Sequence, residues 1–236
     1  MQKKLVIGLA VATALTGAPA AFAQDWNGFY IGVNTGIGLL TATGPNGNVD
    51  GDIGQEGGNV TTTGWGAVGG IGAGVNMVLG AAFLGVEADI NWTNLHAEYD
   101  LAANNIAYID NYLFKADWNW YSTARVRMGV TVDRGLFFVT GGAAFVNVDY
   151  AGCYYDDCTP ADQDYRWSGM QVGLVVGAGG ELALSDHASL KLEYLHIGLP
   201  STDPVMSVYN TQYDLPGQAI VTSSANILRV GLNWNH

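Results

Sequence analysis

Eight ionisable residues recur at alternate positions in segments that are otherwise apolar or glycine-rich: Glu87, Asp89, Arg125, Arg127, Glu181, Lys191, Glu193 and Arg229. Four are acids and four are bases. Side chains two residues apart in an extended strand share a face, so Glu87 goes with Asp89, Arg125 with Arg127, and Lys191 with Glu193. Charges of this kind can do one thing well: neutralise one another in a space too narrow for water, where an unpaired ion is costly. The order of the chain sets Glu87 and Asp89 beside Arg125 and Arg127, Glu181 beside Lys191, and Glu193 beside Arg229. Each lies about four to eight residues from a short turn or from the end of the chain, which stacks them in a single belt.

Other residues are candidates for chemistry. His96 and His196 fall near the ends of strand-like segments, but no Ser-His-Asp/Glu set assembles around either. His187 sits in a short turn. Cys153 and Cys158 lie in AGCYYDDCTP. A disulfide closing a short loop is the ordinary reading in an oxidising compartment, and a thiolate metal site with Asp156 or Asp157 is the sharper one. Tyr154, Tyr155, Asp156 and Asp157 at that loop tip offer groups to a host molecule or a metal. Trp65, Trp92, Trp118, Trp120 and Trp167 read as an interfacial aromatic girdle, with a ligand-stacking surface as the alternative. The glycines of GWGAVGGIGAG form no phosphate loop, since no Lys-Ser/Thr follows and the period is two. GDIGQE lacks the ligand spacing of a calcium loop.

The elements that must position these residues are strands. In YRWSGMQVGLVVGAGGELALSDHASLKLEYLHIGL, one face from Tyr165 to Leu199 is greasy and the other mixes glycine with charge. Apolar outside with small and polar residues inside is the pattern of a barrel in lipid. Similar segments start near Asn27, Thr63, Phe83, Trp118, Leu136 and Ser223. Outward positions include Phe29, Ile31 and Val33, then Val86, Ala88 and Ile90, then Phe137, Val139, Ala143 and Phe145. Eight strands result, joined alternately by long, loop-like segments and short turns such as Asp133-Arg134-Gly135. The long stretches run from about Thr41 to Thr62, from His96 to Phe114, through the cysteine loop, and after Leu199. The expectation is all-β: an eight-stranded antiparallel up-and-down transmembrane barrel with short periplasmic turns and four long extracellular loops.

Composition agrees. Hydrophobic residues make up 49% of the chain and charged residues only 13%, half the share of an average soluble domain. Glycine, 33 of 236 residues, is about twice as common as usual. Lys3 and Lys4, an apolar run to about Ala20 and the Ala21-Phe22-Ala23 site read as a signal peptide over residues 1–23, cut before Gln24. Residues 24–236 then form one barrel domain. A formal charge of −12 weighs against nucleic acid as a partner. A secreted β-sandwich is the alternative architecture.

DWNGFYIGVNTGIG, WYSTARVRMGV, LFFVTGGAAF, SLKLEYLHIGL and ILRVGLNWN, in that order and spacing, resemble the eight-stranded opacity-type outer-membrane protein family of Gram-negative bacteria, also described as porin-family barrels. The resemblance covers essentially all of the chain after residue 23. It implies an outer-membrane surface protein with an envelope-integrity and surface-interaction role, as adhesin or antigen. It implies outer-membrane lipid, lipopolysaccharide and the barrel-assembly machinery as partners, with a host surface molecule or haem as candidate ligands. A small porin or haem-binding receptor is the alternative function, and a lipid A-modifying enzyme a further one. No catalytic role, cofactor or metal is assigned. Members usually end on Phe or Tyr, which the assembly machinery reads. This chain ends Trp234-Asn235-His236, so either Trp234 serves instead or the assembly signal is imperfect.

Overall fold

The computed structural model describes residues 25–45, 59–100, 112–154, 165–201 and 221–235. Eight strands follow in chain order: β1 (Gly28–Pro45), β2 (Asn59–Leu79), β3 (Ala82–Asp100), β4 (Tyr112–Val132), β5 (Gly135–Tyr154), β6 (Tyr165–Ser185), β7 (Ala188–Gly198) and β8 (Thr222–Asn235). Each pairs antiparallel with its neighbour, and β8 returns to β1 to close the ring. Closure satisfies the backbone without leaving an edge, the condition for strands to cross lipid. The turns β2–β3, β4–β5 and β6–β7 are two residues each. Gly80 (φ 67°) and Asp133 (φ 51°) supply the left-handed positions in the first two of these.

Several strands are longer than the sequence suggests. β1 continues through Thr41 to Pro45, and β2 begins at Asn59, inside a stretch expected to be loop. β3 likewise runs on to Asp100, and β4 starts at Tyr112. The Gly, Asn and Thr content that reads as loop is compatible with a strand once a neighbour supplies the ladder, and Leu40↔Gly64 to Pro45↔Asn59 are paired.

β2 and β4 to β6 run 20 to 21 residues, about twice what a tilted strand needs to span a bilayer. The two halves of these strands carry opposite polarity. Toward the short turns the outer face is apolar: Phe29, Ile71, Val86, Met128, Val139 and Leu192 are all exposed. Toward the long connections the outer face carries His96, Glu98, Lys115, Asp117 and Arg166, while the inner face buries Leu40, Phe114, Trp118, Val146, Val148, Tyr150 and Ile227. The near half is an inside-out barrel for lipid and the far half an ordinary water-soluble one with an apolar core. Three layers fill the interior: an apolar floor at the short-turn end, a charged middle, and this upper core.

β5, whose facing is ambiguous in sequence, turns Phe137 and Val139 outward and Leu136, Phe138 and Thr140 inward. In β4 the expected outward position of Trp118 is wrong. The β4–β5 register shifts between Trp118 and Trp120, so Asn119 is an extra residue on the outer wall and the parity of β4 reverses there. Trp118 is thereby 1% exposed and donates its indole N–H to Ser223 Oγ at 3.2 Å. Trp167 is not in an outer girdle either: it faces inward and stacks on Tyr150, ring centroids 6.0 Å apart. Trp65 and Trp92 are outward and well exposed.

Candidate functional site in the barrel lumen

The narrow interior forces the long charged side chains of five strands together. Glu87 and Asp89 come from β3, Arg125 and Arg127 from β4, Glu181 from β6, Lys191 and Glu193 from β7, and Arg229 from β8. All eight are buried. Strand alternation aims them inward, and the adjoining strands β1 and β2, between β8 and β3, are kept low by glycine. A Cβ on Gly36 of β1 would come within 2.7 Å of Arg229 Cα, and one on Gly74 of β2 would strike the Tyr30 ring.

Glu87 is the hub. Its carboxylate accepts from Arg125, from Arg127 at 3.1 Å, from Lys191 Nζ at 2.8 Å and from the Tyr30 hydroxyl, with Arg229 at 3.7 Å. Asp89 lies 2.7 Å from Arg125 and 2.8 Å from Arg229. Glu193 holds Arg125 at 2.6 Å and Arg229 at 2.7 Å. Glu181 receives Arg127, Ser189 Oγ at 3.1 Å and Asn233 Nδ2 at 3.0 Å. Each charge therefore meets at least one opposite charge, the condition under which ions survive away from water.

The structure brings together all eight residues named from sequence, but one neighbour relation differs. Glu181 and Lys191 are register partners on β6 and β7, yet Glu181 binds Arg127 and Lys191 turns to Glu87. Long side chains reach the barrel axis, where the far wall is as close as the adjacent strand. Neutral members that sequence reasoning left out are Tyr30, Asn91, Thr123, Ser189 and Asn233. Asn91 donates to Asp89 at 2.7 Å, and Thr123 accepts from Arg125 Nε at 2.9 Å. The signal available was parity, since each sits on the inward face of its strand.

The histidines lie elsewhere. His96 is on the outer wall, its Nδ1 2.7 Å from Asp117 and its Nε2 3.3 Å from Glu98, which also faces Lys115 at 3.5 Å. His196 is on the wall of β7, its Nδ1 2.9 Å from Asn226 Oδ1. Strands β3 and β7 stand on opposite sides of the eight-stranded ring, so the two imidazoles form no common site. Cys158, the side chains of Cys153 and Tyr154, Tyr155 to Asp157 and residues 1–24 fall outside the described residues.

Over residues 7–234 the chain matches the family described as "Outer membrane protein beta-barrel domain". It is 31% identical over 228 residues to the 31 kDa outer-membrane immunogenic protein of Brucella melitensis, covering 92% of this chain and 88% of that one. The same protein of Brucella suis matches equally, at 31% identity. Among solved structures, the outer membrane protein OprG of Pseudomonas aeruginosa is similar at 11% identity and a TM-score of 0.47, covering 92% of this chain and 99% of that one. The chain belongs to the outer-membrane β-barrel domain family and resides in the outer membrane, among its lipid and lipopolysaccharide.

Proposed function

We propose that the protein is a closed outer-membrane surface barrel, structural in the envelope and presenting its far half outward as an adhesin or antigen, rather than a conduit. The observation that carries this reading is the filled lumen. Eight mutually paired charges occupy its middle, and apolar clusters lie above and below them. Eight strands leave room for side chains and little else. The name of the Brucella relatives, outer-membrane immunogenic protein, favours the antigen role. The reading includes export by a leader cut before Gln24 and insertion by the barrel-assembly machinery. It assigns no catalysis, because His96 is engaged by two carboxylates and His196 by an amide, on opposite walls.

Planar-bilayer recording of the refolded barrel tests it. The parent should show only small, rare openings. Arg125→Ala with Arg127→Ala should raise conductance and lower thermal stability together, since both remove partners from the network. A large, steady, ion-selective current in the parent would instead make the protein a small pore.

A further inference from the structure

Below the charged layer the lumen ends in an apolar floor of Phe83, Leu136, Phe138 and Ala183. One further member of that cluster belongs to no strand. Trp26 precedes β1 and is only 4% exposed, packed among these residues. Three local features bring it there. Gly28 has φ of 99°, a conformation side chains rarely tolerate, and it turns the chain between Trp26 and the barrel wall. The side-chain oxygen of Asn27 accepts the backbone N–H of Val78 at 2.7 Å, tying the segment to the end of β2. The Asp25 carboxylate accepts from the Asn27 backbone at 2.9 Å and from its amide at 3.0 Å, which orients that oxygen toward Val78. Above the floor lies Arg127, its guanidinium 4.0 Å from the Phe138 ring centroid and 5.9 Å from that of Phe83.

The geometry points to residues 25–28 as a periplasmic lid on the lumen, with Trp26 as stopper, Gly28 as hinge and the Asn27–Val78 hydrogen bond as latch. The seated state has a built-in opposing force. The Trp26 indole N–H is buried with no acceptor among the described residues. Seating therefore forfeits a hydrogen bond that the released side chain recovers in water. Burial of the indole against Phe83, Leu136 and Phe138 opposes that loss. Release exposes the underside of the charged layer, Arg127 and Glu181, to periplasmic solutes without breaking any ion pair, so the lid acts separately from the network. The inference rests on the closed-barrel reading in one respect: the lumen above must be sealed for the lid to control access.

Cysteine accessibility in detergent micelles separates the two. Ser189, fully buried beside Glu181, reports the space above the lid, and Ala225, fully buried in the upper core, reports the far seal. Ser189→Cys and Ala225→Cys are each treated with a methanethiosulfonate reagent, and peptide mass spectrometry distinguishes them from Cys153 and Cys158. Heat-modifiable gel migration confirms that each barrel is folded. Both sites should resist the reagent in the parent. Adding Trp26→Ala or Gly28→Val should speed labelling of Ser189→Cys by about tenfold or more, the signature of a lost local closure, and leave Ala225→Cys protected. Equal labelling of Ser189→Cys with and without the lid substitutions overturns the lid. Rapid labelling of Ala225→Cys in the parent overturns the closed-barrel reading instead. Should Trp26→Ala not fold, Gly28→Val, which keeps the indole and removes the hinge, decides.

Discussion

Arg127 on β4 donates to Glu181 on β6, reaching past β5 with its guanidinium 4.0 Å from the Phe138 ring centroid. The register partner of Glu181 on β7 is Lys191, which binds Glu87 at 2.8 Å. Sheet adjacency decides some pairs, Glu87 with Arg125 and Glu193 with Arg229, but reach across the lumen decides Arg127 with Glu181 and Lys191 with Glu87. Double-mutant cycles measured by denaturant unfolding in lipid vesicles check this. Arg127 with Glu181 should couple by about 1 kcal/mol or more, whereas Lys191 with Glu181 should couple by less than about 0.5 kcal/mol. The reverse ranking would restore the adjacent-strand pairing.

Glu87 faces three cations within 3.1 Å, with Arg229 at 3.7 Å. Glu87→Gln leaves four bases against three acids in a buried layer. It should cost about 3–5 kcal/mol of unfolding free energy, the usual penalty for orphaning a buried charge. Adding Lys191→Met removes the surplus cation and should recover about half of that loss, because neutral side chains of similar volume replace buried ions well. A double variant no more stable than Glu87→Gln alone would mean that Lys191 is held by other partners, such as Glu193 at 3.8 Å.

The sequence made strand number, order, facing and all eight lumen charges legible, because period-two alternation against lipid is a strong constraint. It misled about Trp118 because a single extra residue, Asn119, reverses parity without changing composition. It also hid the upper core. Val146, Val148 and Tyr150 continue the inward parity of β5, but the expectation of a polar lumen gave no reason to read them as a packed interior. Beyond the bilayer the outside solvent becomes water, and the same alternation then means the opposite. Glu181 with Lys191 misled for a third reason: sequence gives neighbours along the sheet but not distances across a closed ring.

The parity reversal can be read from tryptophan. Trp65 and Trp92 are 67% and 58% exposed on the outer wall, and Trp118 is 1% exposed inside. Brominated lipid should quench the emission lost in Trp65→Phe and Trp92→Phe, but not the component lost in Trp118→Phe. Trp118→Ala should cost about 3–5 kcal/mol, as deletion of a buried aromatic does. Trp118 emission quenched by brominated lipid would put the ring back on the outer face.

The charged layer also depends on wall positions with no side chain. Gly36 lies against the Arg229 backbone: a Cβ there would sit 2.7 Å from Arg229 Cα and 2.8 Å from its Cβ. Neither atom can yield without moving β8, which enters the network through Arg229 and its bridge to Glu193 of β7. Gly36→Ala should therefore cost about 1–3 kcal/mol, the range for overpacking an interior. Gly69 is the control. It lies on the outer face, where the nearest atom to an added Cβ is Asn34 O at 3.7 Å, ordinary contact distance. Gly69→Ala should stay within about 0.5 kcal/mol of the parent. Unfolding of both variants in the same vesicles makes the comparison. If Gly36→Ala is as stable as Gly69→Ala, the β1 wall has slack that the Arg229 contacts do not reveal, and the glycine face is not what makes room for the charges.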